Sequence, residues 1–317
     1  MKSTKPSAIA SAPVMSDGKR AIDLGALLER SLDERWQTYR ATLNRCQKKY
    51  SEAAVHDLRV ATRRLISTLD IVRTLEPDGS LRQARRRLKK HLKLFGPLRD
   101  VQVQLLTVEE MLPSFPELQG FYDRLVKRER QLVKRLSAQV KGVKTGKVAK
   151  AMRATAKQLP ALLTTPAMQQ EKCAAAIAAV DVAFGRVVER RHAIDAADMA
   201  TIHRMRVAFK KFRYMVEILA PVLERVTTKR LKALNAFQDS MGHIQDIDVL
   251  LASVQAFWRK QQTPDASGSG AHQELIHRRA ALIEAFLQSA NTLFTFWKPG
   301  PEAFTAAKSS IDRNAAR

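Results

Sequence analysis

One block of this chain returns a second time, in the same order relative to a second repeated block. Val55-His56-Asp57-Leu58-Arg59-Val60-Ala61-Thr62-Arg63-Arg64-Leu65 comes back as Ile202-His203-Arg204-Met205-Arg206-Val207-Ala208-Phe209-Lys210-Lys211-Phe212. Downstream, Phe95-Gly96-Pro97-Leu98-Arg99-Asp100-Val101-Gln102-Val103 comes back as Met241-Gly242-His243-Ile244-Gln245-Asp246-Ile247-Asp248-Val249. Fixed order and near-constant spacing mark a duplicated unit. Two halves, 20–150 and 165–300, are therefore related folds, joined by a basic linker over 141–165. Residues 1–18 and 301–317 read as tails outside this 20–300 unit.

Gly and Pro number only 12 each and cluster at a few breaks, such as Glu76–Gly79 and Thr263–Gly270. The intervening runs favour helix, being rich in Ala, Leu, Arg, Lys, Glu and Gln. No segment alternates as a strand would, so the class is all-α. Helices are expected over 20–50, 52–76, 80–95, 98–111, 116–140, 147–158, 170–192, 197–220, 224–242, 244–262 and 272–297. Residues 263–273 read as a loop. Short turns between helices suggest that each half is an antiparallel bundle, the pair enclosing a groove.

Within the first block Val55, Leu58, Thr62, Leu65, Leu69 and Val72 advance by three and four residues, which defines a buried stripe. Ile202, Met205, Phe209, Phe212, Val216 and Leu219 repeat it. The adjacent stripe carries His56, Arg59, Arg63 and Arg73 in one half. In the other it carries His203, Arg206, Lys210 and Arg213. Positions three, four and seven apart share a face, and like charges there weaken an isolated helix. From His56 to Arg63 the rise is about 10 Å. Two cation rows in equivalent places are explained by a ligand with repeated negative charge, which Arg grips with paired N–H donors.

The following helix adds Arg82, Arg86, Lys89 and Lys93 on one face, with a thinner counterpart at Lys229, Arg230 and Lys232. Lys141, Lys144, Lys147, Lys150 and Arg153 form a further basic strip or a solvated linker. Gly96 and Gly242 are expected as helix-ending glycines in the left-handed conformation. Asp100 and Asp246 are expected in the first turn of the next helix, where a carboxylate is favoured, or else orienting the cations. His56 and His203 invite the expectation that ligand affinity rises as pH falls through the histidine range.

Charge agrees with the rows: 55 Lys and Arg against 31 Asp and Glu leave +24. A polyanion relieves the resulting self-repulsion. Cys46 and Cys173 form no disulfide framework or zinc pair, and a reducing cytoplasm fits. No apolar run is long enough for a membrane span. No nucleophile elbow, HExxH or P-loop occurs, so neither a catalytic residue nor a metal or cofactor is expected.

The His-x-x-Arg-Val-Ala-x-Arg/Lys-Arg/Lys blocks at 56–64 and 203–211 resemble the paired signature of the CHAD domain, the conserved-histidine α-helical domain. Tyr214-Met215-Val216-Glu217 and the Gly-x-x-x-Asp elements at 96–100 and 242–246 are similar to it as well. The resemblance runs from about 20 to 300. It implies two antiparallel four-helix bundles related by a pseudo-two-fold, with a basic central channel. It further implies non-catalytic binding of inorganic polyphosphate and attachment to cytoplasmic polyphosphate granules. Carried over by position, the ligand-binding residues are His56, Arg59, Arg63, Arg64, His203, Arg206, Lys210, Lys211, Arg213 and Tyr214. Ile66 departs from the pattern, standing where the other half has Arg213; Arg73 or Arg82, Arg86, Lys89 and Lys93 would compensate. Nucleic acid is the alternative polyanion. Aromatics are only 6% of the chain and none interleaves with the rows, as a base-stacking surface requires.

Overall fold

The computed structural model describes residues 23–76, 78–141, 143, 145–223, 226–261 and 269–298. The tails at 1–18 and 301–317, most of the loop at 263–273, and Lys144 of the linker strip lie outside the described residues. In chain order the helices are α1 (Leu24–Lys48), α2 (Glu52–Leu75), α3 (Gly79–Leu94), α4 (Gly96–Met111), α5 (Gln119–Lys141) and α6 (Gly146–Gln158). They continue with α7 (Pro166–His192), α8 (Met199–Leu219), α9 (Thr228–Gln261), α10 (Gly270–Ser289) and the short α11 (Leu293–Phe296). No strand occurs among the described residues, and the all-α class stands. None of the described helices is long and apolar enough to cross a membrane.

The helix starts follow local chemistry. Asp23 accepts from the Gly25 and Ala26 amides, Ser51 from Ala54, Asp78 from Ser80 and Asp198 from Ala200. Each satisfies donors that the first turn leaves open. Thr165 caps α7 through the Met168 amide, with Pro166 at the first helical position, where its missing N–H is harmless.

One expected break is absent. Residues 224–242 and 244–262 were expected as two helices, yet α9 runs unbroken through Gly242. In the first half the equivalent stretch is split at Phe95 into α3 and α4. The difference lies in Pro97 against His243. Pro97 cannot donate to the Lys93 carbonyl, and its ring collides with it; His243 meets neither obstacle. Neither Gly96 nor Gly242 is left-handed, which corrects their expected role. Asp100 lies beyond the first turn of α4, and Asp246 is in the interior of α9.

The expected core stripes are buried: Val55, Leu65, Leu69, Val72, Met205, Phe209, Phe212 and Leu219 are all fully enclosed. Each such side chain contributes about 1.5–3 kcal/mol. The cores do not divide along the repeat boundary, however. One joins α1, α2 and α3 to α6, α7, α8 and the first part of α9. The other joins α4 and the start of α5 to the second part of α9 and the start of α10. Each core thus takes equivalent helices from both halves, rather than each half closing on itself as expected. The two copies of a helix carry matching apolar stripes, so packing copy against copy buries both.

Candidate anion-binding site

Helices α2 and α8 pack against each other inside the larger core, which brings the two histidine-led rows together. The Lys210 amine is pushed down to about 6, first by burial, then by the charges of Arg63, Arg206 and Arg59, with Asp246 opposing. Arg59 is pushed down to about 10 by burial and by Arg63, with Arg99 and Arg206 adding to it and Asp100 opposing. Arg63 is also lowered, by burial and then by Arg206 and Arg99, against Tyr214 and Asp100. First-half cations therefore act on second-half cations in both directions, so the rows converge.

These four cations lack counter-charge in direct contact. No ion pair among the described residues involves Arg59, Arg63, Arg206 or Lys210. Asp100 and Asp246 stand nearby, and burial raises both carboxyls against the pull of the surrounding arginines. Arg206 Nε is buried without an acceptor. Burying unpaired donors and like charges is unfavourable, and an anion in their midst removes both penalties.

The glycines of the second repeated block make room for these arginines. A Cβ at Gly96 would lie 3.6 Å from Arg59 Nη1, and one at Gly242 would lie 3.5 Å from Arg206 Nη2. Any larger side chain would displace the guanidinium. Arg99 belongs to the same cluster, acting on Arg59, Arg63, Asp100 and Asp246. Sequence reasoning passed over it, because its repeat mate is the uncharged Gln245. Arg99 donates to the Glu52 carboxylate. It also helps lower His56, after burial; Glu52 and Asp57 oppose. His203 instead donates from Nδ1 to Gln245 Oε1. Both histidines are largely exposed, so the burial acting on His56 is partial.

Other members of the rows are engaged elsewhere. Glu217 receives Arg64 at 3.1 Å, Arg213 at 3.4 Å and Arg35 of α1 at 3.8 Å. Arg213 is only 7% exposed, donates to Gln238 Oε1 at 2.9 Å, and lies 4.4 Å from the centroid of the Tyr214 ring, itself buried. Arg213 and Tyr214 thus build the wall of the site. Ile66, at the matching place in α2, is a core residue at 8% exposure; an apolar side chain there needs no Glu217-like partner.

Asp70 is the repeat mate of Glu217 and gathers a third set. It accepts from Arg85 Nε at 2.5 Å and Nη2 at 3.1 Å, with Arg73 at 3.6 Å. The Lys211 amine is lowered by burial, and the charges acting on it are Asp70, Arg186, Arg85 and Lys89. Arg73 and Lys211 therefore stand beside Asp70. Arg82, Arg86, Lys89 and Lys93 are exposed along α3. Of the linker strip, Lys147, Lys150 and Arg153 are exposed on α6.

Among the described residues, no group of three or more His, Cys, Asp or Glu is placed to hold a metal ion. Cys46 and Cys173 are free, and burial raises the Cys46 thiol to about 11.

Comparison with known proteins agrees with this architecture. The crystal structure of the CHAD domain from the plant Ricinus communis is 20% identical with a TM-score of 0.58, over 90% of this chain and 95% of that one. At that identity the likeness is one of fold. PptA from Streptomyces chartreusis is more distant, at 16% identity and a TM-score of 0.47 over 89% of this chain and 99% of that one. No curated protein matches. The CHAD domain family model matches residues 28–255, well over half of the chain and across both repeats. With both signature helices inside the match, the chain belongs to the CHAD domain family.

Proposed function

We propose that this chain binds inorganic polyphosphate, without altering it, at the cluster where α2 and α8 meet. One observation carries the reading: Arg63, Arg206 and Lys210, drawn from both repeats, are gathered half-buried with no carboxylate in ion-pairing contact among the described residues. Like charges held this way call for an anion of repeated charge, and each arginine offers paired donors to phosphate oxygens. Asp100 and Asp246 stand close enough for their charge to act on the arginines. They stand among guanidinium groups, which disfavour a divalent ion beside them. In a cell that stores polyphosphate the chain would collect at cytoplasmic granules, the level at which a fluorescent fusion tests it.

Nucleic acid is the second polyanion to weigh. Tyr214, the ring that acts on Arg63, is 5% exposed and lies against Arg213, so it offers no stacking face to a base. Polyphosphate should therefore displace single-stranded DNA, and not the reverse. The direct test titrates polyphosphates of graded length into the protein and into the Arg63→Gln/Lys210→Gln variant. A loss of at least tenfold, about 1.4 kcal/mol, with an unchanged helical circular dichroism spectrum is expected. Unaltered affinity would move the site elsewhere.

A further inference from the structure

A cleft of about 670 Å³ opens between α7 and the ends of α2 and α3, with α8 as its floor. One wall is apolar and low: Ala175, Ala178, Ala179 and Val182 of α7, the last 43% exposed. The small side chains leave the hollow. The facing wall is cationic, formed by Arg73, Arg85 and Lys211, with Arg186 at the end of the alanine row. Four cations surround one carboxylate, Asp70. Its two oxygens are taken by the paired donors of Arg85, at 2.5 and 3.1 Å. Lys211 and Arg186 have no ion pair among the described residues, and Arg73 Nε is buried without an acceptor.

The repeat supplies a control for this hollow. At the mate of Asp70, Glu217 is closed over by Arg213, Arg35 and Arg64. At Asp70 the place of Arg213 is taken by Ile66, which turns into the core, and alanines face the site. The two carboxylates are equally covered, at 19% and 17% exposure, but the alanines of α7 leave a hollow beside Asp70. None of Arg59, Arg63, Arg206 and Lys210 lines the cleft, so its walls are separate from the central cluster.

We infer that the cleft is a site for a small phosphate ester, its phosphate held by Lys211, Arg186 and Arg73 and its apolar body laid on the alanine wall of α7. The surplus of three cations over Asp70 suits a di- or trianionic group. The volume falls in the range of small-molecule sites, about 300–1,000 Å³, and exceeds what an inorganic ion fills. An ester with an aromatic or ring-shaped body covers both walls at once; inorganic polyphosphate leaves the apolar one wet. This site does not depend on the polyphosphate reading.

The probes are ADP, pyrophosphate and adenosine, titrated calorimetrically into the full chain. ADP is expected to bind one per chain, at least tenfold tighter than pyrophosphate and adenosine. Lys211→Gln and Ala178→Glu should each weaken ADP at least tenfold; Ala178 is exposed, so its substitution leaves the core intact. Arg63→Gln/Lys210→Gln should leave ADP binding unchanged while weakening long polyphosphate. ADP binding that is undetectable at millimolar concentration, indifferent to Ala178→Glu, equalled by pyrophosphate, or abolished by the central variant would overturn the assignment. Loss of polyphosphate binding alone would not touch it.

Discussion

Arg59 donates from Nη1 to the carbonyl oxygen of Leu92 at 2.9 Å, close to the end of α3. Its repeat mate Arg206 lies against unbroken α9 and keeps Nε buried without an acceptor. The two arginines share a motif and a glycine neighbour but differ in duty. A helix end exposes carbonyls that a cation can satisfy, whereas a helix interior has spent them. Pro97, by ending α3, therefore assigns Arg59 partly to the fold and leaves Arg206 for the proposed ligand.

Arg59→Ala should accordingly lower stability by about 1.5–3 kcal/mol, the range for a hydrogen bond to a charged group. Arg206→Ala should change stability little and lose polyphosphate affinity at least tenfold. Thermal unfolding and calorimetric binding on the two variants separate these roles; equal destabilisation would contradict them.

Glu217 holds Arg64 of the first half together with Arg213 of its own helix. Glu217→Gln leaves these guanidiniums uncompensated. Breaking one partner of a buried charged set is strongly destabilising; with Glu217 19% and Arg64 41% exposed, a discounted loss of about 2 kcal/mol is expected in denaturant unfolding. Saturating polyphosphate should restore part of it through mass action.

The Lys210 amine, at about 6 in the free fold, is largely neutral at pH 8. A bound phosphate favours its protonation. Binding should therefore take up a proton, and affinity should strengthen as pH falls from 8 towards 6. Calorimetry in buffers of different ionisation heat reads the uptake, and Lys210→Gln should abolish it. The stability sign is opposite: between about 6 and the ordinary lysine range the unfolded chain holds the extra proton, so this group's contribution to stability rises with pH over that window. Burial and Arg99 lower His56 as well. Uptake that persists in Lys210→Gln and vanishes in His56→Gln would assign the expected histidine effect to His56 instead.

Gly242 sits inside α9 with Arg206 at ordinary contact distance from a Cβ. Gly242→Ala should stabilise the helix by about 0.5–1 kcal/mol and leave binding intact. Gly242→Leu should push the guanidinium aside and weaken polyphosphate binding at least tenfold, which the same titration reads.

The sequence alone determined the all-α class, the duplication, most helix extents and the buried stripes, because capping, helix propensity and three-to-four periodicity act within a few residues. It also located Arg59, Arg63, Arg206 and Lys210 on equivalent faces. The tertiary structure decided which cations remain without a partner. Arg64 meets Glu217 and Arg85 meets Asp70 only through packing. The charge of Arg99 acts on Asp246 across the repeat, and the cores join copy to copy. Charge and burial act through space, and the distances that govern them are set by which helices pack together, which no local pattern along the chain contains.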